Sequence, residues 1–275
     1  MIKKCEEQLL RKRYSYNTRK AYLNYLKSYQ YYCAQSGLQL ESEQSVKSYI
    51  ISLINKGHSR SAQNQAINAI KFYFEKVLGQ DRKVYEFDRP RKVFRLPETL
   101  TQEEVKSIFR EVNNLKHKVI LVTIYSLGLR VGELINLRLS DFNKEKSYVV
   151  IRQAKGNKDR IVPVPERLRK MWRTYYLRYK PLEYLIEGQK GPGTPYSHKS
   201  IQNILKRAVA KVGIMKKVTT HTLRHSYATH LMNNHVDLRT IQVLLGHNSL
   251  KTTQIYTHLT DRKILDTPSP LDFLH

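Results

Sequence analysis

The chain has 275 residues, a length that favours two domains, each with its own core. Its 49 Lys and Arg residues outnumber 23 Asp and Glu residues, and the formal net charge of +26 is spread along the chain. Because so much positive charge repels itself in the folded state, it favours a polyanionic partner, and nucleic acid is the leading candidate. No apolar run of about 18 residues is present, so no membrane partner is expected.

The N-terminal stretch MIKKCEEQLLRKRYSYN has no apolar core of secretory length. No signal peptide is therefore predicted, and a cytoplasmic protein is expected. The cysteines are Cys5 and Cys33, which excludes a disulfide framework and a zinc site of four cysteines. We expect both thiols to be reduced and partly buried.

Residues 1 to about 80 are predicted to form a compact unit of short amphipathic helices with many exposed Lys and Arg. Asn17 can cap the first helix, and apolar residues at helical spacing continue the second over 46–54 and the third over 66–77. The glycines predicted to end these helices are Gly37, Gly57 and Gly79.

Residues 81–97, DRKVYEFDRPRKVFRLP, interrupt the helical pattern with two prolines and many charges. This segment is predicted to be a basic interdomain linker. Helix resumes after Thr101, which can form a capping box with Glu104. A second domain over residues 98–275 is therefore predicted.

The second domain is predicted to be mainly helical with one small antiparallel sheet. Two β-branched runs, at 148–151 and 161–164, flank the basic segment 154–159 and predict a β-hairpin with a basic tip. The predicted helices lie near residues 119–127, 131–137, 166–179, 197–212, 222–233 and 237–245, with one more from 249 onward. Gly128 and Gly246 are predicted to end two of these helices.

Four segments of the second domain carry residues suited to phosphate chemistry: LGLRVGE at 127–133, HTLRH at 221–225, LLGHN at 244–248 and IYTH at 255–258. Together with the hairpin, they resemble in the same order the tyrosine recombinase and phage integrase family, and within it the short Xer-like members. The resemblance extends over essentially the whole second domain and implies that it is catalytic. The first domain resembles, more loosely, the family's core-DNA-binding domain.

The resemblance implies that Arg130 and Arg224 clamp the scissile phosphate and that Tyr256 is the nucleophile. The chemistry agrees, because two guanidinium forks can hold phosphate oxygens bidentately while staying charged. A phenol with a pKa of about 10 needs a neutralised phosphate and a nearby proton acceptor. The resemblance implies that Glu133 is a carboxylate that contacts the catalytic side chains rather than the phosphate.

The resemblance also implies that Lys155 is the general acid and that His221 and His247 are supporting histidines. A lysine on a hairpin tip can approach the departing sugar oxygen in the minor groove and protonate it. His221 could accept the proton of the nucleophile. The choice of Lys155 over Lys158 rests on the resemblance alone, since either could be a solvated turn residue.

Some of these residues have simpler interpretations when taken singly. Arg130 beside Glu133 could form an ordinary surface salt bridge, and His247 after Gly246 could merely cap a helix C-terminus. With 19 tyrosines in the chain, most are expected to pack in a core or against DNA. Tyr256 is selected by its place after the Leu-Gly-His segment rather than by its residue type.

The histidines could also suggest a metal site. His221 and His225 stand four residues apart, a spacing that could bind zinc, but Thr222 stands where a metalloprotease helix has glutamate. Neither a Walker loop nor an acidic cluster for two-metal hydrolysis accompanies the motifs, so no cofactor or metal is expected. The other histidines expected to be structural or on the surface are His225, His230 and His258.

The resemblance implies a site-specific DNA recombinase, or integrase, that cuts and rejoins DNA through a 3′-phosphotyrosyl intermediate. Because this link preserves the energy of the ester, a freed 5′-hydroxyl can reseal the strand without ATP. A homotetramer on two double-stranded recombination sites is also implied, with the linker letting each chain close around DNA as a C-shaped clamp. A type IB topoisomerase-like relaxing enzyme and a non-catalytic DNA-binding regulator are the alternatives.

The tail after Tyr256 contains prolines and several apolar residues, among them Ile264, Leu265, Leu271, Phe273 and Leu274. Apolar residues in a terminal segment suggest docking, either on their own domain or in a groove of a neighbour. Docking on a neighbour predicts that deleting the tail impairs assembly while leaving binding to a single site intact.

Overall fold

The computed structural model describes residues 1–80, 98–154, 158–189, 191–246 and 268–274, and it divides into two compact units, Met1–Phe94 and Arg95–His275. The predicted linker over 81–97 lies outside the described residues. The predicted domain limits at residues 80 and 98 therefore stay a prediction. No helix in the described ranges is long and apolar enough to cross a membrane.

The first unit is helical. Its four α-helices are α1 (Ile2–Arg11), α2 (Tyr16–Gln35), α3 (Glu43–Asn55) and α4 (Arg60–Phe72), and α4 continues as a π-helical turn over Tyr73–Val77. Helix α1 was not predicted, because its buried face consists of Cys5 and Leu9, one turn apart. The other three helices confirm the prediction.

The predicted cap of α2 is wrong. The hydroxyl oxygen of Ser15, not the side chain of Asn17, accepts a hydrogen bond from the backbone N–H of Thr18 at 3.2 Å. Asn17 already lies inside the helix, whereas Ser15 has the extended backbone that a capping residue needs. Gly37 follows α2 with a φ of +63°, as expected of a residue that ends a helix.

Aromatic residues and both cysteines pack in the core of the first unit. The rings of Tyr29 and Tyr49 lie 5.3 Å apart, and the Tyr29 hydroxyl donates to the carbonyl of Leu40 at 2.7 Å. Burial raises the pKa of Cys5 to about 11, despite the opposing effect of the N-terminal charge. Cys5 and Cys33 are free thiols, and both are buried in this core.

The second unit combines seven α-helices with one small sheet in its described part. The helices are α5 (Gln102–Glu111), α6 (Leu115–Ser126), α7 (Val131–Ile135), α8 (Glu166–Tyr179), α9 (His198–Val212), α10 (Thr220–Asn233) and α11 (Leu238–Leu245). The antiparallel strands are β1 (Phe142–Asn143), β2 (Tyr148–Ala154) and β3 (Lys158–Pro163), in the order β1-β2-β3. The predicted fold class, mainly α with a small antiparallel sheet, is confirmed.

Helix α6 runs through the middle of the second unit. Every residue from 119 to 126 is buried, which is typical of a helix surrounded by others on all sides. Thr123 of this helix accepts a hydrogen bond from the indole N–H of Trp172 at 2.9 Å. The capping box of Thr101 and Glu104 at the start of α5 is present as predicted.

The end of the tail docks on the second unit itself. Residues 268–274 include a short 3₁₀ helix, and Leu271 and Leu274 are buried in the core of that unit. Ser269 Oγ donates to the carbonyl of Ser126 at 2.9 Å, and Arg167 Nη1 donates to the carbonyls of Leu271, at 3.4 Å, and Leu274. Of the two modes of docking considered, this segment adopts docking within its own chain.

Candidate active site

Glu133 and Arg130 meet at the start of α7. Arg130 is the last residue before the helix, and its extended backbone directs its N–H toward the carboxylate of Glu133 at 2.8 Å. The Arg130 side chain returns to the same carboxylate, with 2.7 Å between Nη1 and Oε1. This local motif therefore holds a partly exposed guanidinium against a buried carboxylate.

Arg224 reaches the same carboxylate from α10. Its Nη1 donates to the carbonyl of Gly128 at 2.6 Å and lies 3.4 Å from Oε2 of Glu133. Its Nη2 donates to the carbonyl of Leu245 at the end of α11. The side chain is 5 % exposed, so these contacts fix its orientation.

A third arginine, Arg160 of β3, completes the cluster. Its Nη1 and Nη2 donate to the two oxygens of Glu133 at 2.8 and 2.7 Å. Arg160 is not among the site residues predicted from the sequence. A signal was available, because Arg160 alternates with Val162 and Val164, both buried, and so occupies an inward position of the strand.

We call this group the Glu133 cluster; it comprises Glu133, Arg130, Arg160 and Arg224. Its positive and negative charges are unequal. Three guanidiniums face one carboxylate, so two positive charges are in surplus. Burial alone would raise the pKa of Glu133, but hydrogen bonds and charge from Arg160, with further help from Arg130 and Arg224, lower it to about 2. Burial and the neighbouring Arg130 lower the pKa of Arg224 to about 9. Glu133 and Arg224 are therefore both charged at neutral pH.

A cleft of about 790 Å³ opens beside α7 and gives outside access to Arg130. Arg138 and Arg152 also line it, but each pairs with its own acidic side chain, at 3.2 Å from Glu183 and 2.6 Å from Asp141 respectively. Arg130 instead shares its carboxylate with two other arginines. The uncompensated positive charge at the wall of this cleft is therefore concentrated near Arg130.

Two glycines allow the backbone to approach the Glu133 cluster closely. A Cβ on Gly128 would lie 2.7 Å from the ring of Tyr227, and its φ of +56° is unfavourable for other residues. A Cβ on Gly246 would lie 3.1 Å from Cδ of Arg160. These positions bring the Gly128 carbonyl to Arg224 and the end of α11 onto Arg160.

His221 lies on the exposed surface of the first turn of α10, one turn before Arg224. A capping box of Thr219 and Thr222 begins the helix and places His221 at its N-terminal end. Burial, then the nearby His221 and Arg224, lowers the pKa of His225. Across the described ranges, no group of three or more His, Cys, Asp or Glu side chains is arranged to hold a metal ion.

Lys155, His247 and Tyr256 lie outside the described residues, as does His258. The structure thus brings together Arg130, Arg224 and Glu133 among the predicted site residues, with His221 on the helix that carries Arg224. Strands β2 and β3 end at residues 154 and 158 on either side of Lys155. Helix α11 ends at Leu245, and Gly246, which precedes His247 in the chain, packs against Arg160.

Family models match both units. The model described as "Phage integrase family" matches residues 98–263, and the model described as "Phage integrase, N-terminal SAM-like domain" matches residues 1–83. Together they cover more than half of the chain.

Named relatives match over most of their length. The chain is 37 % identical over 246 residues to tyrosine recombinase XerA of Pyrococcus horikoshii, covering 88 % of this chain and 85 % of the relative. It is 30 % identical over 269 residues to tyrosine recombinase XerC of Staphylococcus saprophyticus, covering 92 % of this chain and 90 % of the relative.

Solved structures share the fold. A crystal structure of XerA recombinase matches with a TM-score of 0.52 and 30 % identity over 95 % of this chain and 94 % of that chain. A lambda integrase dimer bound to a core site matches with a TM-score of 0.70 and 18 % identity, over 90 % of this chain and 94 % of that chain. The Tn1549 transposon integrase in complex with circular intermediate DNA matches with a TM-score of 0.69 and 19 % identity, over 95 % of this chain and 96 % of that chain.

Proposed function

The chain belongs to the phage integrase family and is a tyrosine-type, Xer-like site-specific recombinase, and from this we propose that it cuts and rejoins DNA through a 3′-phosphotyrosyl link to Tyr256. The observation that carries the proposal is the Glu133 cluster, in which one carboxylate faces three arginines and leaves two positive charges in surplus. The relatives are named recombinases and integrases, which does not favour the topoisomerase or regulator alternatives.

In the proposed reaction, Arg130 and Arg224 bind the non-bridging oxygens of the scissile phosphate. Negative charge grows on these oxygens as the phosphorus is attacked, and oriented guanidiniums stabilise it without reorganising. The contacts of Arg224 with two backbone carbonyls, and of Arg130 with Glu133, support this role because they hold the side chains in place before DNA arrives. Losing one such donor is expected to slow cleavage by about 100-fold or more.

Bond making and breaking are assigned to the remaining residues. The Tyr256 oxygen attacks phosphorus while its proton passes to His221, and the bond from phosphorus to the 5′ oxygen breaks as Lys155 donates a proton to it. His247 would help to hold the phosphate. A 5′-hydroxyl then attacks the phosphotyrosyl ester and releases Tyr256, so no ATP is needed.

Double-stranded DNA carrying a specific recombination site is the proposed substrate. The net charge of +26 supports a polyanionic partner, and neighbours in structure have been solved with DNA bound. We further propose a homotetramer on two DNA sites, since strand exchange needs two duplexes with two cleavages each. The proposal places the reaction in the cytoplasm, where thiols such as Cys5 and Cys33 stay reduced.

Trapping the covalent intermediate tests this function. The protein is incubated with a pool of randomised duplexes that carry one nick, since loss of the short fragment beside the nick prevents religation. Denatured protein is then captured and the attached DNA is sequenced. Wild-type protein should retain DNA of a common sequence, whereas Tyr256→Phe should bind duplexes but retain none after denaturation.

Tyr176→Phe is the matched control, because this exposed tyrosine of α8 lies outside the proposed site and should form the adduct normally. An adduct that persists in Tyr256→Phe would reject Tyr256 as the nucleophile. Absence of any adduct from wild-type protein bound to DNA would favour a non-catalytic regulator.

A further inference from the structure

Arg160 is the most deeply buried arginine of the Glu133 cluster. Its side chain is 1 % exposed, against 5 % for Arg224 and 24 % for Arg130. Glu133 and the Leu244 carbonyl already engage Nε, Nη1 and Nη2 of Arg160, so we expect its effect on catalysis to pass through its neighbours rather than through a DNA phosphate. We propose that Arg160 is a positioning residue for strand cleavage, which takes up the charge of Glu133 and so leaves Arg130 and Arg224 available to the scissile phosphate.

The use of the guanidinium nitrogens supports this division of roles. Arg160 donates from Nη1 and Nη2 to Glu133 and from Nε to the carbonyl of Leu244 at 2.7 Å, so all three of its nitrogens are engaged. Among the described residues, the side chain of Arg130 bonds Glu133 through Nη1 alone, and Arg224 approaches Glu133 no closer than 3.4 Å. Arg130 therefore keeps N–H donors for an outside ligand.

The balance of charge leads to the same conclusion. A buried carboxylate needs a partner, and a missing partner leaves an uncompensated charge. Without Arg160, Glu133 would draw on Arg130 and Arg224, and the surplus of the Glu133 cluster would fall from two positive charges to one. The expected loss concerns the cleavage step, because DNA affinity is spread over many other Lys and Arg residues.

Arg160 also joins the segments that lead to the other proposed catalytic residues. It belongs to β3, whose pairing with β2 continues to the strand ends beside Lys155. Its Nε holds the Leu244 carbonyl, and Gly246 packs on its side chain at the point where the chain proceeds to His247. The Leu244 carbonyl lies at the C-terminal end of α11, which is the negative end of the helix dipole, and a buried cation such as Arg160 stabilises it.

The inference rests on the proposed function, and its first test uses the same nicked duplexes. Arg160→Met and Arg160→Lys are compared with wild type in single-turnover cleavage at saturating protein, with DNA affinity and thermal unfolding measured in parallel. Arg160→Met should cleave about 100-fold more slowly, because the phosphate-binding groups are misplaced, while DNA affinity stays within about 3-fold. Arg160→Lys keeps the charge but not the fork, and should be about 10-fold slower than wild type.

Arg169→Met is the matched control. Arg169 is a partly buried arginine of the same unit that donates to Ser147 Oγ at 2.9 Å and has no contact with the Glu133 cluster. Its replacement should leave the cleavage rate unchanged. If the cleavage rate of Arg169→Met fell as far as that of Arg160→Met, the effect of Arg160→Met would follow from losing any buried arginine, not from the role proposed for Arg160.

A double variant separates positioning from simple structural support. Glu133→Gln in the Arg160→Met background removes the charge that Arg160 had compensated, and so returns the surplus to two positive charges. The double variant should therefore cleave at least about 5-fold faster than Arg160→Met. A purely structural role for Arg160 predicts that the second substitution brings no recovery.

The outcomes distinguish the inference from the function beneath it. Wild-type adduct formation together with a wild-type cleavage rate in Arg160→Met overturns the role of Arg160 alone, and so does a double variant that shows no recovery. If Arg160→Met does not fold, Arg160→Lys decides, and a wild-type rate from that variant overturns the inference. A wild-type protein that binds DNA but forms no adduct removes the proposed function, and the inference with it.

Discussion

The hydroxyl of Tyr125 lies 2.7 Å from Nδ1 of His230 in the core of the second unit. His230 Nε2 lies 2.9 Å from the carbonyl of Leu100, which can only accept, so Nε2 carries the proton and Nδ1 accepts from Tyr125. Burial lowers the pKa of His230, although its bond to Leu100 opposes the shift, and favours this neutral form. His230 is thus a structural histidine that ties α6 and α10 to the start of the second unit, as predicted.

Replacing Tyr125 with Phe should destabilise the protein by about 1–2 kcal/mol, because Nδ1 of His230 is left buried without a donor. Urea unfolding at pH 7.5 measures the effect. Tyr176→Phe is the control, since Tyr176 is 49 % exposed, and it should change the free energy of unfolding by less than about 0.5 kcal/mol. Equal effects of the two substitutions would contradict the structural role of the pair.

Glu133 should make the protein sensitive to acid in a defined range. Its pKa in the folded protein is about 2, below the usual value of 4.5, so its ionised form favours the folded state. This stabilisation is complete above pH 4.5 and is lost as the pH falls toward 2, by on the order of 3 kcal/mol. Glu133→Gln should lack this component when unfolding free energies are compared between pH 7 and pH 2. Parallel acid profiles for the two proteins would show that Glu133 is not held as an ion.

Loosening the tail should release it without unfolding the second unit. Leu271→Ala removes buried apolar contacts worth about 2 kcal/mol, so the amides of residues 271–274 should exchange hydrogen about 30-fold faster while those of α6 are unchanged. Leu182→Ala, at a residue that is 72 % exposed, is the control. Because the tail docks on its own chain, wild-type protection should not depend on protein concentration. Protection that rises with concentration would instead indicate docking on a neighbour.

Several predictions from the sequence concern residues close together in the chain, and these agree with the structure. The box of Thr101 and Glu104 spans three residues, and Gly246 ends α11 with a φ of +61°. The exception is the cap of α2, where Ser15 and Asn17 are both suitable and only the backbone conformation distinguishes them. Such signals are readable because the interacting groups are fixed by one helical turn.

By itself, the sequence determined the hairpin and the described α-helices other than α1, and the resemblance of its motifs selected Arg130 and Arg224. Only the tertiary structure decided that Arg160, 27 residues beyond Glu133, is the arginine that holds both carboxylate oxygens. It also decided that Arg224 is held by the carbonyl of Gly128, 96 residues away in the chain. Capping and strand alternation depend on neighbours in sequence, whereas compensation of a buried charge depends on which distant segments the packed core brings within hydrogen-bonding distance.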